Sequence, residues 1–258
     1  MSVNLCMTSW AARIKDIKPV LDSLFNQTYK DFTLWLTLSS EEIGRDDLPD
    51  FLKNYKDTRL RINWIGPNFK TMKKVFPVLP YLSDEDIIIT VDDDVIFDEK
   101  FVELRVAEFE MYGKKTPLTA NRRSYQFSVK AFFSSCGSLF TKKMLTGYDV
   151  FVNEDVLNTY DDDWAYSFII LLNGYRFKPC KRYTLQEFKF INQKVPSKDN
   201  TYNWRKTIPV IQKRIADFVG KQNFNDFIYN IRHNLVAVDW EKFKENDKAP
   251  NYVFNDEK

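Results

Sequence analysis

Several kinds of residue on which enzymes commonly depend are scarce in this chain. Its 258 residues include one histidine, His233, and three cysteines, Cys6, Cys136 and Cys180, with no C-x-x-C pair. A single imidazole argues against a Ser-His-Asp triad, and the missing C-x-x-C argues against a His/Cys zinc site. Three cysteines, odd in number and far apart, suit a reducing compartment better than a disulfide framework. No uninterrupted apolar run approaches the roughly 18 residues of a membrane span, and no charged-then-apolar leader opens the sequence. The expectation is a soluble, cytoplasmic protein, with association at the inner face of the membrane left open. A net charge of +2, with 29% of residues charged, gives no reason to expect a nucleic-acid partner. There is no internal repeat.

What is present points to a globular chain. An apolar share of 44% over this length supports one large domain with a full core. Aromatics reach 16%; sugars stack on aromatic faces, although a coding bias accounts for the figure equally well. One local imbalance stands out between Met111 and Val150. There Lys114, Lys115, Arg122, Arg123, Lys130, Lys142 and Lys143 face only Asp149, as a solvated face or a surface for phosphates.

The first third alternates strand-like and helix-like segments, the pattern of an α/β sheet with crossover helices. Val3 to Met7, Phe32 to Leu38, Leu60 to Gly66 and the run after Ile87 read as strands. Ile14 to Phe25 and Leu48 to Tyr55 read as helices, and Phe69 to Leu82 as a helix that Pro77 and Pro80 must break. Further on, Glu99 to Tyr112 reads as a helix, Phe127 to Thr141 as strands flanking Gly137, and Tyr175 to Cys180 as a returning strand. Asn158 to Phe177 reads as a helix and its exit, with Thr159 and Asp162 spaced as a capping box and Asn173-Gly174 as the stop. From Ser197 the pattern is helical, with Ile208, Ile211, Ile215 and Phe218 on one face, then Phe224, Phe227, Ile228 and Ile231 on another, before a polar tail. The domain boundary expected is 1–195 for the α/β domain and 196–258 for a helical extension.

Two acidic triplets carry the chemistry. In "IIITVDDDVIF", Asp92, Asp93 and Asp94 end an apolar strand, where open α/β sheets place ligands. Adjacent carboxylates there are costly unless paired or bound to a cation. D-x-D suits Mg²⁺ or Mn²⁺, which take oxygen ligands and commonly combine one or two carboxylates with phosphate oxygens. A solvated turn is the bland alternative. Asp161, Asp162 and Asp163 open a helix, where the macrodipole favours negative charge whatever the function. The pair of clusters is what a metal-assisted transfer with a carboxylate base requires.

The order of the motifs resembles that of GT-A glycosyltransferases, in particular the bacterial family 2 enzymes of polysaccharide synthesis. The matching pieces, between residues 3 and about 180, are "LCMTSWAARI", "FKTMKK", "IIITVDDDVIF", "SSCGSLF" and "YDDDWAYSFIILLNGY". The resemblance implies a Rossmann-like nucleotide-binding sheet of the α/β class with a D-x-D element. It implies a nucleotide-sugar pocket of Thr8, Ser9, Arg13, Lys70, Lys74, Asp92, Asp93 and Gly137, with Asp94 and Asp92 as ligands of Mn²⁺ or Mg²⁺. The catalytic base would be Asp162, or else Asp161. The donor would be a nucleotide-diphosphate sugar, a UDP-sugar first, and the acceptor a glycan or lipid-linked hydroxyl. Trp164 is either a core aromatic or an acceptor platform. Three alternatives stand beside this reading: a haloacid-dehalogenase-like phosphatase, which wants its D-x-D on the first core strand; a calcium loop on Asp92, Asp94 and Glu103, in which Phe97 occupies the required glycine; and an inactive glycan-binding relative.

Overall fold

Strands rich in β-branched and leucine side chains need cover on both faces, and here crossover segments supply it. In the computed structural model, which describes residues 1–121, 125–127, 129–131, 134–184, 187–191, 204–219 and 240, the first four strands run parallel. They are β1 (Val3–Thr8), β2 (Phe32–Ser39), β3 (Leu60–Ile65) and β4 (Ile87–Thr90), ordered β3-β2-β1-β4. Ile87, Ile88 and Ile89 are all fully buried, as a parallel strand covered on both faces should be. The chain steps outward from β1 to β3 and then returns to lay β4 on the other side of β1. This reversal makes the carboxyl ends of β1 and β4 a topological switch point, where open α/β sheets bind ligands.

Beyond β4 the sheet becomes mixed. Two short strands follow, β5 (Val95–Ile96) and β6 (Leu118–Thr119), then a hairpin of β7 (Tyr125–Phe127) with β8 (Val129–Ala131). Strand β9 (Leu139–Thr141) lies antiparallel between β4 and β6, and β10 (Lys178–Pro179) runs parallel to β6 at the edge. Strand β11 (Lys189–Phe190) pairs antiparallel with β5, and the Ile191 amide donates to the Asp94 carbonyl at 2.8 Å. The polypeptide near residue 190 is thereby held beside the first acidic triplet.

The helices are α1 (Lys18–Phe25), α2 (Asp50–Lys53), α3 (Phe101–Met111), α4 (Tyr148–Phe151), α5 (Glu154–Leu157), α6 (Asp162–Leu172) and α7 (Trp204–Val219). Three expectations are corrected. Helix α1 starts at Lys18, with a proline in its first turn, where proline is tolerated; the expected first turn is instead a series of turns carrying Arg13. The segment 69–82 is broken as expected but forms two 3₁₀ segments and no α-helix, Lys70–Lys73 and Phe76–Tyr81, because Pro77 lacks the amide that would bond the Lys73 carbonyl in a continuous helix. The Thr159 capping box does not form. Asp161 is the N-cap of α6 without a side-chain cap, while the Thr159 hydroxyl donates to the Val156 carbonyl at 2.7 Å. The expected stop holds, with Gly174 at φ +82° after Asn173.

The C-terminal part is keyed into this body. Ile211, Ile215 and Phe218 of α7 are buried. Arg214 donates from Nε to the Phe151 carbonyl at 3.1 Å and from Nη2 to the Val150 carbonyl, satisfying orphan carbonyls at the end of α4. Trp240 lies against Gly147, φ +82°, where an added Cβ would come within 2.1 Å of the indole, and its Nε1 donates to Asn173 Oδ1 at 2.8 Å. His233, Arg122, Arg123, the side chain of Lys130, the second helical face at Phe224 to Ile231 and the polar tail lie outside the described residues. Among the described residues no helix is long and apolar enough to cross a membrane.

Candidate active site

A cavity of about 350 Å³ opens at the switch point. One wall comes from the carboxyl ends of the first three strands: Thr8, Ser9, Trp10 and Arg13 after β1, Glu42 after β2, and Asn68 to Lys74 after β3. The other holds Asp92, Asp93 and Asp94 after β4, Tyr160, Asp162 and Asp163 at the start of α6, and Phe190 of β11. Residues 80 to 84 positions apart, Arg13 and Ser9 against Asp93, meet because β1 and β4 are neighbours in the sheet.

The first triplet is not an unpaired liability. Arg13 donates from Nη1 to Asp93 Oδ1 at 2.6 Å and from Nη2 to Asp94 Oδ2 at 2.9 Å, so one guanidinium fork spans two adjacent carboxylates. Ser9 Oγ donates to Asp93 Oδ2 at 2.7 Å. Burial pushes the Asp93 carboxyl up to about 6, against the pull of Arg13 and Ser9. Lys74 Nζ lies 2.8 Å from Asp92 Oδ1 and 3.0 Å from Asp162 Oδ2, tying the two triplets together. Burial alone would lower the Lys74 pKa, but Asp162, Asp92 and Asp163 outweigh it and raise it well above the usual lysine range. Asp163 is held well above the usual carboxylate range by burial first and then by Asp162, and its Oδ1 accepts no hydrogen bond.

The wall that follows β2 and β3 carries a further buried cation. Lys73, 1% exposed, donates to Glu42 Oε2 at 2.7 Å and Asn68 Oδ1 at 3.2 Å; burial lowers its pKa and Glu42 partly restores it. Lys70 and Tyr160 both adopt left-handed backbone, φ +49° and +57°, and the Lys70 ammonium sits 4.5 Å from the Tyr160 ring centre. Thr71 Oγ1 donates to the Tyr160 carbonyl at 2.5 Å. Strained non-glycine backbone of this kind costs about 1–3 kcal/mol per residue and clusters at ligand sites.

Of the residues expected from sequence, Thr8, Ser9, Arg13, Lys70, Lys74, Asp92, Asp93, Asp94 and Asp162 all line the cavity. Asp161 does not; it is a buried N-cap whose carbonyl accepts from Ala165. Gly137 is also outside the lining. Its glycine is explained by φ +78° and by Phe188, whose ring would stand 2.8 Å from an added Cβ. Trp164 stacks on Phe168, centroids 5.7 Å apart, and is not in the lining either. Trp10, Glu42, Asn68, Lys73, Tyr160, Asp163 and Phe190 were not singled out from sequence as pocket residues. Position was the one available signal for Glu42 and Asn68, which follow strands whose carboxyl ends face the same cleft.

The ionisable lining comprises six acids (Glu42, Asp92, Asp93, Asp94, Asp162 and Asp163) against four bases (Arg13, Lys70, Lys73 and Lys74), a formal −2 in a chain of formal +2. Among the described residues no group of three or more His, Cys, Asp or Glu side chains forms a ready-made metal cage. Asp94 takes the Arg13 bond on Oδ2, and the side chains of Asp94 and Asp92 are 17% and 34% exposed. Two accessible carboxylates in an electronegative pocket fit a hard cation that completes its shell with phosphate oxygens and water.

The sequence matches no protein-family model and no curated protein. Solved structures are similar. S. aureus TarS residues 1–349 in complex with UDP-GlcNAc is 14% identical, with a TM-score of 0.60 over 90% of this chain and 72% of that one. The same TarS fragment with UDP aligns at 0.57, over 88% and 69%. A mannosyltransferase, PcManGT from Pyrobaculum calidifontis in complex with GDP-Man and Mn²⁺, is 14% identical at 0.56, over 90% and 70%. The likeness establishes the architecture: this chain has the GT-A glycosyltransferase fold, as its motif order implied.

Proposed function

We propose that this GT-A chain is a metal-dependent, inverting glycosyltransferase. It moves a sugar from a nucleotide-diphosphate sugar, a UDP-sugar first, to a hydroxyl of a glycan or lipid-linked acceptor in surface polysaccharide synthesis. The observation that carries the reading is the convergence of Asp92, Asp94, Arg13 and Asp162 on one electronegative cavity at the switch point. A formal −2 lining repels a diphosphate unless a cation intervenes, which is the physical reason to expect metal dependence. The Mn²⁺ bound in the mannosyltransferase complex is in keeping with this.

Asp92 and Asp94 would hold the divalent ion, which when bound supplies charge neutralisation for the leaving diphosphate. Arg13 and Ser9 fix the triplet's orientation by occupying both oxygens of Asp93. Thr8 and the Glu42–Lys73–Asn68 network form the wall on which the nucleoside rests, and Lys70 stands at the cavity beside Tyr160. Asp162, which shares the Lys74 ammonium with Asp92, takes the proton of the acceptor hydroxyl as it attacks the anomeric carbon. The carbon–oxygen bond to the diphosphate breaks as the new one forms, with inversion and no covalent intermediate. Asp162 is preferred over Asp161 as base because it lines the cavity. The phosphatase alternative fails on the fold, since its nucleophile belongs on the first core strand and Asp92 follows the fourth.

A thermal-shift screen of UDP, GDP, CDP and ADP, with and without Mn²⁺, tests the reading. Stabilisation by one nucleotide only in the presence of metal is expected; stabilisation by none would refute it. With the matching nucleotide sugar, Asp162→Asn removes transfer by at least 100-fold. Normal transfer in that variant beside a dead Asp161→Asn would move the base to Asp161.

A further inference from the structure

Lys74 joins two acids to which the proposed mechanism gives different tasks. Its ammonium stands between Asp92 Oδ1 at 2.8 Å and Asp162 Oδ2 at 3.0 Å, one carboxylate following β4 and the other opening α6. The environments differ: the Asp92 side chain is 34% exposed and that of Asp162 is 5% exposed. The stem that carries the ammonium is itself pinned, because Met72 and Val75 are fully buried and the Lys74 amide donates to the Thr71 carbonyl at 3.0 Å. A compact ammonium on such a stem has little freedom except to lean toward one carboxylate or the other. Asp163, with a buried and unpartnered Oδ1, follows Asp162 in the first turn of α6.

We propose that Lys74 is a positioning residue that couples the donor side of the site to the base. The proposal rests on the glycosyltransferase reading. Without donor, one ammonium is shared by Asp92 and Asp162. Asp92, on taking up a divalent cation with the diphosphate, would release the ammonium. Asp162 offers the displaced charge a second seat, so Asp162 assists donor binding without touching the donor. In return, the donor-loaded site has Lys74 fully on Asp162, which fixes the base's orientation before an acceptor hydroxyl arrives. Donor binding ahead of acceptor follows from this arrangement.

Two measurements test the coupling. The first is calorimetric binding of UDP with Mn²⁺, or of GDP with Mn²⁺ if the protein prefers it, to the wild type, Asp162→Asn, Lys74→Met and the double variant. Asp162→Asn weakens binding at least fivefold while Lys74 is present and less than twofold in the Lys74→Met background; an equal effect in both backgrounds overturns the proposal. The second needs neither nucleotide nor Lys74→Met: thermal unfolding of Asp92→Asn, Asp162→Asn and their double variant. With one ammonium shared, each single variant leaves Lys74 a partner and the double leaves it with none, so the double falls by several degrees more than the sum of the singles. Additive shifts overturn the proposal. A wild type that binds no nucleotide with any metal refutes the donor reading instead, and the unfolding cycle distinguishes that outcome.

Discussion

Replacing Lys74 with methionine keeps the length of the side chain and removes only its charge. Breaking a buried ion pair from one side costs about 3–5 kcal/mol, because the surviving charge is stranded. The Asp92 arm is a third exposed, so solvent screens it and it contributes under about 1 kcal/mol. The Asp162 arm is buried and dominates, which puts the loss at about 3 kcal/mol. At roughly 2–4 °C per kcal/mol for a chain of this size, Tm should fall by about 6–12 °C. The pH dependence has a defined sign. The folded pKa of Lys74 is raised well above the ordinary lysine value of 10.5, so its contribution is fully present below that value and is lost only as pH rises through the folded pKa. Loss of the Lys74 proton therefore does not narrow the gap between wild type and variant below pH 10.5. Adding Asp162→Asn to Lys74→Met should restore at least half of the loss. Differential scanning calorimetry of the apoprotein at pH 7 decides the matter: a Tm within 2 °C of wild type, or a double variant less stable than Lys74→Met, would refute the reasoning.

Three further outcomes are expected. Asp94→Asn keeps the wild-type Tm within about 2 °C without ligand but loses the extra stabilisation that Mn²⁺ gives with nucleotide, together with at least 100-fold of turnover; metal-independent activity in this variant would remove Asp94 from the metal site. Gly137→Ala destabilises by about 1–3 kcal/mol, since a Cβ at φ +78° meets the Phe188 ring, and urea unfolding with an unchanged m-value should show it. Trp240→Ala, which empties a buried aromatic site between Gly147 and Phe218, costs about 3–5 kcal/mol; an unchanged urea midpoint would mean that the indole is not seated where the structure puts it.

Much of the fold is legible in the sequence because its signals are local. Strands β1 to β4 announce themselves through short runs such as "IIIT" and "FTLWLTL", and the two acidic triplets can each be found within a window of three residues. What escaped was what only topology brings together. Glu42, Asn68 and Lys73 are ordinary polar residues until β2 and β3 carry them to the same cleft as Asp92, and Tyr160 gives no hint in sequence of its left-handed backbone. Thr159 and Asp162 have capping-box spacing, yet the helix starts two residues later than that pattern needs, so the spacing was satisfied by chance. Gly137 sits in a matched motif, but the pressure for glycine comes from Phe188, a contact no local reading supplies.

The seat of Trp240 also bears on how the molecule is made. The indole bonds to Asn173 across 67 positions of chain. At translation rates of roughly 5–20 residues per second, that separation corresponds to about 3–13 s of synthesis. Throughout that interval Gly147 and the C-terminal cap of α6 lack their indole cover, although every residue of both acidic triplets has already been made. Both acidic triplets are thus synthesised before the indole that covers the end of α6, so the final packing of that helix waits on Trp240.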